Sequence, residues 1–408
     1  MKTFLVGGAV RDHLLNYPVR EKDWVVIGET PESMVNQGYM PVGKDFPVFL
    51  HPVTHDEYAL ARTERKTAPG YKGFTVHATP DVTLEQDLIR RDLTINAIAM
   101  DDEGNIFDPY GGREDLKNRI FRHISPAFSE DPVRVLRIAR FAARYQHLGF
   151  SIADETLQLM KQMVKNGETN HLVAERVWAE LHKVLSEKTP SAFFYTLKKC
   201  NALASIFPEL DKLFGIPQPE KHHPEIDTGI HSLLSLEQAC LLSDKTEVRL
   251  AVLLHDLGKG ETDKSKWPSH HGHEQAGLPI LNQFCRRLRV PKQFKALAVH
   301  VMNYHTHCHR ISELKASTLT DLLASLNAFK PNSTMLTDFA IACEADSKGR
   351  TGLENNAYPQ SSYLLKAAEA ARQVNTAEVL NSGLKGAEIG DAIRQLRIRA
   401  VSLFIKSE

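Results

Sequence analysis

The residues best equipped for chemistry lie near the start of the chain: Gly7-Gly8, Arg11, and two acids, Glu21 and Asp23, one residue apart. Adjacent glycines let backbone N–H groups approach an anion, and a helix beginning there favours negative charge at its N-terminus. Arg11, one turn further on, offers a phosphate a fork of donors. Paired carboxylates hold Mg²⁺, a hard ion that keeps phosphate oxygens in its shell. With two ions, one activates an attacking hydroxyl and the other stabilises departing pyrophosphate. Together these residues imply a site for a nucleoside triphosphate and its Mg²⁺ ions; either motif alone reads more simply as a turn or a solvated strand edge.

Positioning them requires a strand at Lys2–Val6, a corner at Gly7-Gly8 and a helix over Ala9–Leu15. The β-branched, apolar run Trp24-Val25-Val26-Ile27 predicts a strand over Glu21–Ile27, in which Glu21 and Asp23 share a face. Further β-rich runs at Val48–Leu50 and Tyr58–Ala61 make residues 1 to about 105 mixed α/β. From about 130 the spacing turns helical, as in Leu157, Met160 and Val164, or Val177, Leu181, Val184 and Leu185. Thr189-Pro190 reads as an N-cap with proline in the first turn of a helix through Phe193 and Leu197. Pro217, Pro219 and Pro224 form a joint before the final segment.

Two more constellations precede that joint. Arg90-Arg91-Asp92 suits phosphate and ribose contacts, although it is also a common surface pattern. Glu130-Asp131-Pro132-Val133-Arg134 opens an apolar helix on which Arg134, Arg137, Arg140 and Arg144 fall on one stripe. Such a stripe is either a solvated face or, because like charges repel, a surface with an anion opposite. Asp131 and Arg134 pair an acceptor with a donor, which matches the exocyclic amine and ring nitrogen of cytosine and adenine and not uracil or guanine. A wrong base would leave buried polar groups unpaired. The simpler reading makes Asp131 an N-cap and Arg134 its helix partner.

Composition narrows the classes. At 408 residues, 42% hydrophobic and 25% charged, the chain is ordinary globular protein of more than one domain. It lacks an apolar run of about 18 residues, which argues against a membrane span. Met1–Val10 meets Arg11 and Asp12 too soon for a signal peptide. Cysteines at 200, 240, 285, 308 and 343 lack paired spacing, which fits a reducing cytoplasm and argues against a thiolate zinc site. Zero net charge requires any nucleic-acid path to be a local patch.

Taken in order, Leu5-Val-Gly-Gly-Ala-Val-Arg-Asp12, the acids at 21 and 23, Arg90-Arg91-Asp92 and Glu130-Asp131-x-x-Arg134 resemble the bacterial and eukaryotic class of tRNA nucleotidyltransferases, within the polymerase β-like superfamily. The likeness covers about the first 220 residues. It implies addition of C, C and A to the tRNA 3′ end from CTP and ATP with no nucleic-acid template. By that resemblance Gly8 and Arg11 contact triphosphate, Glu21 and Asp23 are catalytic and ligate Mg²⁺, and Arg91, Arg137 and Arg140 bind the incoming nucleotide. Asp131 with Arg134 then selects the base. Glu21 departs from the aspartate many members carry, which keeps the oxygen on a longer arm. Bacterial poly(A) polymerases share these motifs but tend to carry a strongly basic extension, and this chain ends in Ser407-Glu408.

Of 19 histidines, 11 lie between His222 and His309. His255-Asp256 ends a helix predicted over Val248–Leu257, with Gly258 as its C′ residue. With His231 upstream and Asp346 downstream, this gives mixed nitrogen and oxygen ligation for a divalent transition metal, which activates water against a phosphoester. Any one of these histidines, taken alone, is more simply surface or packing. His255-Asp256-Leu-Gly-Lys259 with Gly-Ile-His231 resembles the HD phosphohydrolase domain fused to tRNA nucleotidyltransferases in some bacteria, over about 222 to 350. That resemblance implies phosphatase and 2′,3′-cyclic phosphodiesterase or 2′-nucleotidase activity, with nickel as a candidate ion. His270, His271, His273, His305 and His307 are candidates for the substrate side, without individual roles.

The expectation is an α+β protein: a polymerase β-like nucleotidyltransferase head with a mixed sheet (1–138), an all-α neck and body (139–220), and an all-α HD domain with C-terminal helices (221–408). It is a cytoplasmic monomer or homodimer acting on the tRNA 3′ end, without a membrane partner. The alternatives are a poly(A) polymerase, or an RNA-binding repair hydrolase with an inert head.

Overall fold

A computed structural model describes residues 1–19, 21–42, 47–66 and 74–408. The chain divides into two compact units: Met1–Glu180 with Ala192–Ile206, and Leu181–Ser191 with Phe207–Glu408.

In the first unit the strands are β1 (Lys2–Val6), β2 (Asp23–Ile27), β3 (Met40–Val42), β4 (Val48–Leu50), β5 (Glu57–Leu60), a separate pair β6 (Thr63–Lys66) and β7 (Phe74–His77), β8 (Ala99–Met100) and β9 (Ile106–Phe107), with β10 (Ile120–Phe121) and β11 (Ser151–Ile152) paired further on. Seven of them form one mixed sheet in the order β3-β4-β5-β2-β1-β8-β9. Within it β2 and β5 run parallel, which sets Asp23 beside Glu57. Both faces are covered. Val6 and Val25 pack with Leu88 and Ala97, Val26 packs with Met34, Phe49 and Leu60, and Leu5 packs with Ala9, Val10 and Ile98. Burial on both sides explains why residues 24–27 are continuously apolar instead of alternating.

Strand β2 begins at Asp23, two residues later than the sequence predicts. Its partner β1 pairs Val6 with Asp23 and then turns away at Gly7, so residues 21 and 22 have no ladder to join. Gly7 has φ +68°, and a Cβ there would lie 3.0 Å from Nη1 of Arg91, so the corner needs glycine both for its backbone and for clearance. The helix after the corner spans Gly8–Leu14.

The arginine helix, Val133–Tyr145, buries Val135, Leu136, Ile138, Ala139, Phe141 and Ala143. Its stripe does face anions, and the anions are the protein's own. Arg137 Nε donates to Asp92 (2.7 Å), Arg140 Nε to Glu180 (2.6 Å) and Arg144 Nη2 to Asp12 (2.9 Å), while Arg134 donates to the carbonyl oxygens of Ala127 and Arg90. Asp12 also accepts from Arg11 Nε (2.9 Å) and the Tyr145 hydroxyl (2.5 Å).

The second unit is helical. Thr246–Leu254 is its central helix, with every residue from Val248 to Leu254 buried, as expected of a helix surrounded by others. Around it lie Thr228–Leu242, His273–Arg287, Lys292–His309 and Met335–Lys348. Helix 246–254 stops just before His255, and Leu257–Glu261 forms a 3₁₀ turn. Gly258 is therefore not a left-handed cap. A Cβ on it would lie 1.9 Å from the His273 carbonyl oxygen, so it is glycine because two backbones touch there. Among the described residues no helix is long and apolar enough to cross a membrane.

Asp12 is 3% exposed and holds two arginines that are themselves buried. Asp12→Ala strands both charges and is expected to destabilise the first unit by about 3–5 kcal/mol, the range for breaking a buried pair. Denaturant unfolding followed in that unit checks this; a loss below about 1 kcal/mol would show that the network does not hold the helix.

Candidate active sites

In the first unit the acidic centre has three carboxylates. The surrounding protein desolvates Asp23 and raises its pKa, with Glu21 adding to the rise and Arg91 and Arg137 opposing it. Glu57 is likewise raised, by burial first and then by Asp23 and Glu21. Glu21 lies just outside the strand, and its charge adds to the pKa rise of both Asp23 and Glu57. Carboxylate oxygens are the chemistry that a hard divalent cation such as Mg²⁺ takes. Glu57 has no signature in the local sequence; only the parallel register with β2 reveals it.

Two of the expected phosphate-binding arginines adjoin these acids. Arg91 donates Nη2 to Asp87 (3.2 Å), and its buried Nε has no partner among the described residues. Arg137 gives Nε to Asp92, and its side chain is 37% exposed, against 9% for Arg140 and 10% for Arg144. Burial works against the Asp92 carboxylate, but Arg137, Asn96 and Arg134 outweigh it and hold its pKa well below the usual range. Gly8 begins the helix, where an added Cβ would lie 3.4 Å from the Arg11 guanidinium.

The remaining motif residues turn inward. Arg11 is 3% exposed, donates Nη1 to Asn96 (2.5 Å) and lies 4.8 Å from the Tyr145 ring centroid. Asn96 donates to Asp92 (2.8 Å), so Arg11, Asn96, Asp92 and Arg137 form one chain that ties the glycine corner to the arginine helix. Arg140 is committed to Glu180. The Arg134 backbone N–H donates to the Asp131 carbonyl oxygen (3.0 Å), while the Arg134 guanidinium donates to the carbonyl oxygens of Ala127 and Arg90. Asp131 accepts the Val133 N–H (3.1 Å), as a cap would, and both arms of the Arg176 fork (3.0 and 2.8 Å). Arg176 comes from helix Ala174–Leu185, and its partnership has no signal in local spacing.

In the second unit the four expected ligands do converge. His231 Nε2 lies 3.0 Å from Asp346 Oδ1, and His255 Nε2 lies 3.1 Å from Asp256 Oδ2 and 3.4 Å from Asp346 Oδ1. All four residues are buried. Each ring is fixed from behind, His231 Nδ1 by the Gly349 carbonyl (3.2 Å) and Glu225 (3.0 Å), and His255 Nδ1 by the Val252 carbonyl (2.6 Å). An Nδ1–H donated to a carbonyl leaves Nε2 as a ligand, the arrangement metal-binding histidines use. Burial lowers the His255 pKa, but Asp256 and Asp346 outweigh it and push it up to about 10. The set fits a divalent ion held by two imidazoles and two carboxylates.

A cavity of about 510 Å³ opens on this cluster, lined also by Lys259, His309, Arg310, Arg350 and Tyr358. Of the expected substrate-side histidines, His270, His273 and His305 line it, while His271 and His307 line a neighbouring cavity of about 420 Å³. Lys259 Nζ donates to Asp256 (2.7 Å). Cations around a metal cluster suit a phosphoester.

The fold defines a chain with a nucleotidyltransferase-type head and an HD-type helical unit. Family models agree: a poly A polymerase head domain over residues 3–122, a probable RNA and SrmB-binding site of polymerase A over 149–214, and an HD domain over 228–346. The chain is 60% identical over 403 residues to the multifunctional CCA protein of Teredinibacter turnerae, covering 99% of this chain and 98% of that one. It is 59% identical over 401 residues to that of Methylococcus capsulatus, covering 98% and 94%. The chain belongs to the multifunctional CCA protein family. Its fold is that of a CCA-adding enzyme solved in an apo form, with a TM-score of 0.68 at 21% identity over 98% of this chain and 88% of that one.

Because the Asp92 pKa is depressed in the fold, its contribution to stability is complete above the ordinary aspartate pKa, about 4, and fades as pH falls toward the lowered value. Asp92→Asn is expected to remove that acid dependence and cost about 2 kcal/mol, moderated by the partial exposure of Arg137. Unfolding of the first unit between about pH 2 and 7 tests this; an unchanged slope would contradict the assignment.

Proposed function

We propose that the chain builds and repairs the 3′-terminal CCA of tRNA from CTP and ATP, without a nucleic-acid template and with release of pyrophosphate. The observation that carries this reading is the pairing of Asp23 with Glu57 across β2 and β5, with Glu21 two residues before Asp23 and the charges of Arg91 and Arg137 reaching Asp23. Membership of the multifunctional CCA protein family supports it, as does a neighbour of the same fold, the Thermotoga maritima CCA-adding enzyme complexed with tRNA (TM-score 0.62, 20% identity).

In this reading Glu21 and Asp23 hold Mg²⁺, with Glu57 beside them. Bound Mg²⁺ supplies Lewis acidity at the α-phosphate and to the departing pyrophosphate. Arg91 and Arg137 balance triphosphate charge, Gly8 lets the chain come close to it, and Arg11 and Arg140 hold the walls in place. Asp131 and Arg134 read the base, and Asp131 does so from a position where Arg176 orients its carboxylate. The segments 1–138, 139–220 and 221–408 serve as head, neck with body, and hydrolase domain, in a cytoplasmic monomer or homodimer.

The second unit is proposed to hydrolyse phosphoesters at RNA ends, as a phosphatase, 2′,3′-cyclic phosphodiesterase and 2′-nucleotidase. His231, His255, Asp256 and Asp346 hold a divalent transition metal, nickel being one candidate, and Lys259, Arg310 and Arg350 receive the phosphate. That ion, when bound, makes water nucleophilic at neutral pH.

A second reading, poly(A) polymerase, draws on the poly A polymerase head model over residues 3–122. Trimmed tRNA incubated with all four triphosphates is expected to gain C, C and A, read by sequencing its 3′ ends; adenylate tails without cytidine would favour the second reading. Glu21→Ala with Asp23→Ala is expected to lower nucleotide addition by more than about 100-fold, beyond what loss of a supporting residue costs. The same variant should retain phosphoester hydrolysis, and His255→Ala should show the converse. Unchanged addition in the double variant would mean that the head is inert.

A further inference from the structure

One turn before Arg90-Arg91, Asp87 is fully buried in the first unit, and donors from Arg62, Arg90 and Arg91 converge on its carboxylate. Oδ1 accepts the backbone N–H of Arg62 (3.3 Å) together with Nε and Nη2 of Arg90 (3.0 and 2.9 Å), and Oδ2 accepts Nη2 of Arg91 (3.2 Å). Burial works against its charge, but Arg90 and Arg91 outweigh it and hold its pKa below the usual carboxylate range. The helix that carries it, Leu84–Leu88, is pinned at both ends: Thr83 and Gln86 cap it reciprocally (3.3 and 2.9 Å), and Leu88 packs with Val6 and Val25. Val6 precedes the glycine corner and Val25 follows Asp23 on β2, so Asp87 has a fixed place relative to both.

Arg91 stands between that anchor and the acidic centre. Its side chain is 18% exposed, its charge reaches Asp23, and its Nη1 lies 3.0 Å from where a Cβ on Gly7 would stand. A long cation beside carboxylates is drawn onto them unless another acid holds it. We propose that Asp87 is a positioning residue for nucleotide binding: it takes Nη2 of Arg91, keeps the guanidinium from closing onto Asp23, and leaves Nη1 above the glycine corner for the triphosphate. Arginine suits this double duty because its planar fork offers two arms in fixed geometry, which a lysine ammonium does not. Through the Arg62 N–H the same carboxylate also holds the chain one residue before β6, so the start of the β6 and β7 pair shares an anchor with Arg91. The inference rests on reading the first unit as a nucleotidyltransferase and adds a residue that aims one of its arginines.

The test is steady-state kinetics of the full chain on trimmed tRNA. Asp87→Asn removes the charge that holds Nη2 and is expected to raise KM for CTP and for ATP by about 10-fold, with kcat and the KM for tRNA little changed. In an Arg91→Ala background the same substitution is expected to add nothing, because the two residues act as a unit. Arg91→Lys keeps the charge but cannot serve Asp87 and the triphosphate together, so its nucleotide KM is expected to match that of Arg91→Ala. Circular dichroism shows whether Asp87→Asn is folded, and the lysine variant decides the question if it is not. A parental KM in Asp87→Asn, a further rise of the same size in the Arg91→Ala background, or a parental KM in Arg91→Lys would overturn the positioning role while leaving nucleotide addition by the parent intact. A parent that adds no nucleotide would overturn the reading of the head itself.

Discussion

A carboxylate enclosed by protein must find positive charge or hydrogen-bond donors, and this requirement organises the first unit. Asp12 gathers Arg11, Arg144 and Tyr145, while Asp92 gathers Asn96 and Arg137. These two acids come from different sequence motifs and grip the same helix, Val133–Tyr145, at different turns. The glycine corner, the Arg-Arg-Asp segment and the arginine helix are thereby held as one body. Most of the motif arginines are engaged in building the walls. Arg137 keeps part of its side chain exposed while holding Asp92.

The second unit meets a different requirement by related means. Its histidines are aimed by backbone carbonyls behind them: Val252 for His255, His270 for His273, Val301 for His305 and Gly349 for His231. Each carbonyl fixes a tautomer and a ring orientation together, so ligand direction is set before any ion arrives. The acids stand where those nitrogens point.

Residues whose role depends on neighbours in sequence were legible. The Gly-Gly corner, the strand at 24–27, the helical tracts and the His255-Asp256 pair all follow from local type and spacing, and the four histidine and aspartate ligands do meet. What escaped depends on distant pairing. Glu57 joins Glu21 and Asp23 only because β5 runs parallel to β2. Arg176 reaches the Asp131 carboxylate across 45 residues, a partnership that local spacing does not reveal. The arginine stripe was left between a solvated face and a surface with an anion opposite, and spacing could not say that Arg137, Arg140 and Arg144 meet Asp92, Glu180 and Asp12. Gly258 looked like a helix cap and is a point of backbone contact, which a one-dimensional pattern cannot distinguish.

The central helix Thr246–Leu254 is buried from Val248 to its end and leads directly into His255 and Asp256. A rod enclosed on every side cannot slide or fray by itself, because each of its side chains is keyed into a neighbour. Thermal breathing of the surface does not reach such an element, which opens with its whole cooperative unit. The convergence of the histidine and aspartate cluster therefore lasts as long as the unit's fold does.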